Sequence, residues 1–129
     1  GKVNFALWLI NSLKSGKEVR VVTDQFITPT LNTNLAEMVL EVADRRLCGV
    51  YNMAGATRLS RYDFAMELAR AFDLDIDLLL RSRMVDMKWP ARRPKDSSLD
   101  TSKAMETLAE KPLAIKEAIK LLKDEMAKN

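Results

Sequence analysis

Residues 19–30 read VRVVTDQFITPT, and this stretch decides the expected fold. Its first four residues, Val19 to Val22, are mostly β-branched and predict a short strand. The apolar residues follow one another instead of alternating cleanly with polar ones, which suits a strand covered on both faces. Polar residues and Pro29 then predict a loop. The stretch therefore indicates an α/β fold with a loop at the end of a buried strand, the place where such folds bind ligands.

Helical patterns surround this strand. Residues 3–15 are apolar on most faces and predict a buried helix that Gly16 ends. Asn34 with Glu37 predicts the capped start of a second helix, and Ser60 with Asp63 that of a third. Later elements are predicted as a helical turn and strand within 78–85, a short helix capped by Asp100 or Thr101, and a last helix after Pro112.

A second strand is predicted over Val50–Met53. Two or three short strands are few for this much helix, so we expect an incomplete, helix-rich α/β lobe formed by residues 1–129 as a single domain. The chain opens with Gly1 and has no initiator Met, and we expect the natural gene to extend upstream.

Composition excludes several classes of protein. The 129 residues include one cysteine and no histidine, which excludes an internal disulfide, a histidine triad and a histidine zinc site, and we predict no metal site. We interpret Cys48 as a small buried hydrophobe. A net charge of +3 is too mild to imply nucleic acid. The apolar run 5–10 is far shorter than the roughly 20 residues of a membrane span, so we predict a cytoplasmic protein without membrane contact.

The loop after the first strand is the first candidate site. Gln25 both donates and accepts hydrogen bonds, which suits a sugar hydroxyl or a base edge. The alternative interpretation is a proline-containing turn in which Asp24 bonds its own loop.

The basic segment 81–95 is the second candidate, with six basic residues against one acid, Asp86. Arginine forks match phosphate oxygens, and Trp89 could stack on a base or sugar or seal a pocket. The segment is interpreted as a diphosphate clamp, a nucleic-acid patch or a solvated basic loop, with nucleic acid the least favoured. The chain has four glycines and no glycine-rich phosphate loop.

Several motifs in order resemble the C-terminal half of the extended short-chain dehydrogenase/reductases, and most of all the dTDP-4-dehydrorhamnose reductases. They are Asn4-Phe5 at the start of a helix, Asp24-Gln25 with Pro29-Thr30 after a strand, Gly49-Val50-Tyr51-Asn52 leading to Gly55, and Arg93-Pro94 followed by residues 97–103.

This resemblance implies reduction of the 4-keto group of a dTDP-sugar with NADPH or NADH. It also implies that the cofactor and the catalytic Tyr-x-x-x-Lys pair belong to an N-terminal Rossmann domain absent from this chain, so that no catalytic residue lies here. Substrate-binding residues implied by the family are, in sequence order, Asn4, Gln25, Pro29, Thr30 and Arg93. We add Trp89 to the predicted substrate-binding residues because its ring could stack on a base or sugar. Loop-supporting residues are Asp24, Ser98, Asp100 and Lys103.

Ile27 departs from the family, which usually has glycine there. The alternative function is a non-catalytic regulatory homologue resembling the methionine adenosyltransferase β subunit. The expected partners are a dTDP-sugar, the chain's own Rossmann domain and, through the apolar surface which that domain would cover on the first helix and on Val50–Met53, a second copy of the chain.

Overall fold

The computed structural model describes residues 3–129, so the expectation about Gly1 lies outside the described residues. The order of its helices and strands confirms a helix-rich α/β fold. The elements are α1 (Phe5–Lys14), β1 (Val19–Val22), β2 (Phe26–Ile27), α2 (Asn32–Asp44), β3 (Leu59–Ser60), α3 (Arg61–Ala71), β4 (Leu79–Ser82), α4 (Ser102–Thr107) and α5 (Ile115–Ala127). Short 3-10 turns cover Ile76–Leu78 and Met84–Asp86. The part of the chain described thus holds four short strands, where two or three were expected.

The chain forms two compact units. Unit 1 comprises the chain up to Phe26 together with Leu59–Asp96, and unit 2 comprises Ile27–Arg58 together with Ser97–Asn129. Each is described by itself below. The expectation that residues 1–129 act as a single lobe stays a prediction.

Unit 1 is built on a parallel pair of strands. β1 runs beside β4 in the register Val19↔Leu79 to Val22↔Ser82. The apolar face of α1, formed by Leu9, Ile10 and Leu13, is buried, as are Ala65, Leu68 and Ala69 of α3. Burial of a leucine or isoleucine side chain contributes roughly 1.5–3 kcal/mol. The predicted bounds of β1 are confirmed, as is the order of a helical turn followed by a strand. The strand lies within the predicted residues 78–85, whereas the turn, Ile76–Leu78, begins two residues before them.

The ends of the unit 1 helices follow their sequence signals. The side chain of Asn4 accepts a hydrogen bond from the Leu7 amide and begins α1, and Ser60 accepts one from the Asp63 amide and begins α3. Gly16 has a φ of +72°, which ends the turn after α1 at little cost for glycine. The predicted end of the first helix at Gly16 and the predicted cap at Ser60 are confirmed, and the cap at Asn4 is an addition from the structure.

Unit 2 is helical, with α2, α4 and α5 as its regular elements. Met38 of α2, Ala104 of α4 and Leu108 form its buried cluster. Partly buried side chains pack against the cluster, namely Leu35, Val42, Leu47 and Met53. The hydroxyl of Thr33 donates to a Glu125 carboxylate oxygen at 2.7 Å and links α2 to α5. The short helix predicted after Asp100 or Thr101 is confirmed, with Thr101 at its N-cap.

Three local predictions in unit 2 are wrong. Val50–Met53 is irregular instead of a strand: Val50 is 82% exposed, and its carbonyl accepts the Lys103 ammonium instead of a strand amide. Asn34 does not cap α2, which begins two residues earlier; it is buried, and its side-chain amide donates to the Lys111 carbonyl. Cys48 is exposed, not buried, because it lies in the irregular segment that follows α2.

Within residues 3–129, no helix combines the length and the apolar character that a membrane span requires.

Candidate functional site

The carboxyl ends of β1 and β4 lie at the same edge of the unit 1 sheet, because the two strands are parallel. Both the amide and the hydroxyl of Thr23 donate to the Ser82 carbonyl, at 2.9 and 3.2 Å. The next residue, Asp24, accepts the Met84 amide at 2.8 Å. These bonds anchor the start of the loop to the end of β4. They support the prediction that Asp24 is a loop-supporting residue.

Gln25 is the most constrained residue of this edge. It is 4% exposed, and both ends of its side-chain amide are occupied. Its nitrogen donates to the Pro94 carbonyl at 3.1 Å, and its oxygen accepts Nε of Arg61 at 2.5 Å. Its backbone carbonyl also accepts the Arg61 amide at 2.9 Å. Gln25 therefore joins the loop after β1, the start of α3 and the basic segment.

The charge of a second arginine, Arg93, acts on Arg61. Burial, followed by the positive charge of Arg93, lowers the pKa of Arg61 below its ordinary value. The Arg61 guanidinium carbon also lies 5.3 Å from the centre of the Phe5 ring. We call Asp24, Gln25, Arg61, Arg93 and Pro94 the strand-end cluster. Among the described residues, no carboxylate pairs with Arg61.

Sequence reasoning missed Arg61. It stands in the stretch Ser60-Arg61-Tyr62-Asp63, which was interpreted only as the capped start of a helix. Its partner Gln25 is 36 positions away, so no local pattern signals the pair. The available signal was its position, as an arginine at the first residue of a predicted helix.

The other unit 1 candidates lie outside the hydrogen bonds of the strand-end cluster. The side-chain oxygen of Asn4 is used to cap α1, and its neighbour Phe5 is the residue that contacts Arg61. Trp89 is half-buried in the irregular segment between the second 3-10 turn and the end of unit 1. The substrate-binding roles of Asn4 and Trp89 stay predictions.

In unit 2, the predicted loop residues Pro29 and Thr30 pack against Gly55. The Gly55 amide donates to the Thr30 hydroxyl at 3.1 Å, and that hydroxyl donates to the Thr28 carbonyl at 3.0 Å. A Cβ atom at Gly55 would overlap the Pro29 carbonyl oxygen, so only glycine allows this approach. Two of the motifs that carried the family resemblance therefore meet here.

The remaining loop-supporting candidates are also in unit 2. Asp100 accepts the hydroxyl and the amide of Ser102, and these two bonds lower the pKa of its carboxyl group. Lys103 donates to the Val50 carbonyl at 2.9 Å, with its ammonium 4.3 Å from the centre of the Tyr51 ring. Ser98 is half-buried in the loop before them. These contacts are consistent with the loop-supporting roles predicted for Asp100, Lys103 and Ser98, which stay predictions.

Neither a metal-binding cluster nor a glycine-rich dinucleotide turn is present among residues 3–129. No group of three or more His, Cys, Asp or Glu side chains among residues 3–129 is arranged to hold a metal ion. A dinucleotide needs a glycine-rich turn between a strand and a helix, whereas β1 is followed by the sequence Thr23-Asp24-Gln25-Phe26. The turn after β1 therefore does not fit the phosphates of a nicotinamide dinucleotide.

The chain is similar to known reductases over most of its length. It is 33% identical over 100 residues to the "Probable low-salt glycan biosynthesis reductase Agl14" of Haloferax volcanii, which covers 78% of this chain and 33% of that protein. A dTDP-4-dehydrorhamnose reductase from Clostridium acetobutylicum has a solved structure that superposes with a TM-score of 0.87 at 32% identity, covering 98% of this chain and 45% of that one.

The dTDP-4-dehydrorhamnose reductase of Bacillus anthracis, solved in complex with NADP, shares the fold with a TM-score of 0.86 at 21% identity, covering 97% of this chain and 44% of that one. This chain therefore spans less than half the length of these relatives. A family model described as "RmlD substrate binding domain" matches residues 1–128. The chain belongs to the RmlD substrate binding domain family.

Proposed function

We propose that this chain is the nucleotide-sugar-binding part of an NAD(P)H-dependent dTDP-4-dehydrorhamnose reductase. The strand-end cluster is the observation that carries this proposal. It gathers two arginines and a buried glutamine at the carboxyl edge of a parallel strand pair, the edge where α/β folds bind ligands. Arginine suits the diphosphate of a dTDP-sugar because its planar fork of donors matches phosphate oxygens.

The chain's own contribution is to bind and orient the substrate. We propose Arg93 as a phosphate contact and Trp89 as the residue that packs on the base or sugar. Asn4, Gln25, Pro29 and Thr30 stay predicted members of the substrate-binding region. Holding the sugar in one orientation lowers the entropic cost of the reaction.

The cofactor belongs to the other half of the proposed parent protein. No glycine-rich phosphate turn follows β1 in this chain, and the relative from Bacillus anthracis was solved with NADP. We propose that NADPH or NADH is bound by an N-terminal Rossmann domain, and that reduction of the 4-keto group takes place in the cytoplasm only when both halves are present.

Titration with dTDP followed by nuclear magnetic resonance tests the proposal. Backbone amides around Gln25 and Arg93 should shift, with a dissociation constant of about 1 mM, corresponding to about −4 kcal/mol. Thymidine, which lacks the phosphates, should bind at least about tenfold more weakly, a difference of about 1.4 kcal/mol.

Arg92 provides a matched control, because it is an exposed arginine next to Arg93. Arg93→Ala should weaken dTDP binding, and Arg92→Ala should leave it nearly unchanged. If neither unit responds to dTDP at about 10 mM, the substrate-binding proposal fails and the regulatory alternative gains support. Steeply salt-dependent binding of RNA in place of dTDP would favour a nucleic-acid module.

A further inference from the structure

Arg61 is a half-buried arginine without a carboxylate partner among the described residues. We infer that Arg61 contacts a phosphate group of the ligand directly and that Gln25 acts as the residue which positions it. This inference rests on the proposed function for the identity of the ligand, a nucleoside diphosphate derivative. The anion-binding property itself rests on unit 1 alone.

The orientation of Arg61 is fixed on one side of its guanidinium group. Its Nε donates to the Gln25 side-chain oxygen, and the group packs on the Phe5 ring at 5.3 Å. Its backbone amide donates to the Gln25 carbonyl. Its two terminal nitrogens donate no hydrogen bond to the protein groups of residues 3–129. Arg61 thus presents two terminal donor nitrogens whose orientation is fixed before a ligand binds.

The charges around Arg61 favour an anion. Removing a cation from water costs free energy, and a second cation nearby adds repulsion. Both conditions hold here, because Arg61 is half-buried and the charge of Arg93 acts on it. An anion bound to Arg61 would offset this repulsion and would accept hydrogen bonds from the terminal nitrogens of Arg61. Phosphate fits best, because its oxygens match the arginine fork in pairs.

Gln25 is not itself available to the ligand. Its side chain is buried, and its oxygen and nitrogen are bonded to Arg61 and to the Pro94 carbonyl. Because Pro94 directly follows Arg93, these two bonds connect the segments that carry both arginines. The role of Gln25 is therefore to hold the arginine pair in place, and the residue first suspected of binding the sugar acts through its neighbours.

Titration of the full 129-residue chain with inorganic pyrophosphate tests this inference. Wild-type chain should bind, and Arg61→Ala should weaken binding by about tenfold or more, equivalent to about 1.4 kcal/mol. Arg61→Lys keeps the charge but loses the fork and should lie between the two. Arg70→Ala is the matched control, because Arg70 is an exposed arginine on the same helix. This substitution removes the same charge as Arg61→Ala.

The positioning role of Gln25 needs its own readout. Gln25→Met keeps the length of the side chain and allows it to stay buried, but it removes both side-chain hydrogen bonds. The Nε–H resonance of Arg61 should then lose its distinct shift, and pyrophosphate affinity should fall by about three- to tenfold. An unchanged Arg61 resonance in Gln25→Met would contradict the positioning role even if the variant were less stable. Circular dichroism confirms that each variant is folded.

The possible outcomes separate this inference from the proposed function. If dTDP binds equally well to wild type, Arg61→Ala and Arg70→Ala, the inference is overturned and the proposed function stands. If pyrophosphate binds in an Arg61-dependent manner and dTDP binds no better than thymidine, the anion site stands and the nucleotide-sugar proposal fails. If the wild-type chain does not bind pyrophosphate at a ligand concentration of about 10 mM, the inference is overturned.

Discussion

At the scale of single residues, Gly55 shows how a missing side chain shapes the candidate loop. Its Cα hydrogens face the Pro29 carbonyl at a separation that no Cβ atom tolerates. We expect Gly55→Ala to force Pro29 and Thr30 apart and to lower the free energy of unfolding by roughly 1–3 kcal/mol, as overpacking does. Urea unfolding followed by circular dichroism measures this change.

Gly16 is the control for this prediction. It has a positive φ and open space around a would-be Cβ, so Gly16→Ala carries a backbone cost of about 1 kcal/mol and no overlap. The amide resonances of residues 28–30 should move in Gly55→Ala and stay in place in Gly16→Ala. Equal effects of both variants on those resonances would contradict the packing argument.

Gln25 and Arg61 show what a sequence predicts at this scale. Gln25 was selected because it follows a strand and carries both a donor and an acceptor, and the structure does place it at the strand edge. Its partners, however, are 36 and 69 positions away. The hydrogen-bonding chemistry of Gln25 and its position after a strand could be predicted from the sequence. Its hydrogen bond with Arg61 could not, because that bond depends on the tertiary structure.

At the scale of elements, Glu41 connects α2 to the segment between α4 and α5. Its carboxylate accepts the amides of Ala109 and Glu110 at 2.7 and 2.8 Å and pairs with Arg45 at 2.6 Å. The amide bonds, and to a smaller extent Arg45, lower the pKa of Glu41 below 4.5. One side chain therefore satisfies two amides that follow the end of α4.

The lowered pKa of Glu41 predicts how stability depends on pH. Because the folded state holds the proton less tightly than the unfolded state, the stabilisation is complete above the unfolded value near 4.5 and is lost as pH falls through the folded value. We expect Glu41→Gln to reduce stability at neutral pH and to flatten its decline in acid. Urea midpoints measured between about pH 6 and pH 3 test this.

Glu37→Gln is the control, since Glu37 is an exposed carboxylate on the same helix. Its pH profile should follow that of the wild type. If the stability of Glu41→Gln declined in acid as steeply as that of the wild type, the hydrogen bonds to Ala109 and Glu110 would not be the source of the pH dependence of stability.

Elements were predictable where the local signal agreed with the packing. β1 was placed correctly because its β-branched run is buried beside β4, and α1 because Asn4 caps it. The run Val50–Met53 has a similar β-branched start but forms no ladder, since Lys103 takes the Val50 carbonyl. Asn34 looked like a cap and is instead bonded to Lys111, 77 positions away. The local sequence signal gave a wrong prediction where a residue distant in the sequence forms a hydrogen bond with the backbone or side-chain group in question.

At the scale of the whole molecule, apolar side chains on α1 and just before it are exposed to solvent. Val3 is 58% exposed and Trp8 is 45% exposed, while the opposite face of the helix is buried. The relatives are more than twice as long as this chain. Apolar patches of this kind promote association.

We therefore predict that the isolated chain self-associates weakly through α1. Its average mass by sedimentation should exceed 14.6 kDa at about 1 mM chain and approach that value on dilution. Trp8→Lys should shift the chain towards the monomer, because it places a charge in the centre of the contact. Leu40→Lys is the matched control, since Leu40 is 67% exposed but lies on α2 in unit 2. A strictly monomeric wild type, or an equal effect of both lysine substitutions, would show that the apolar face of α1 does not drive association.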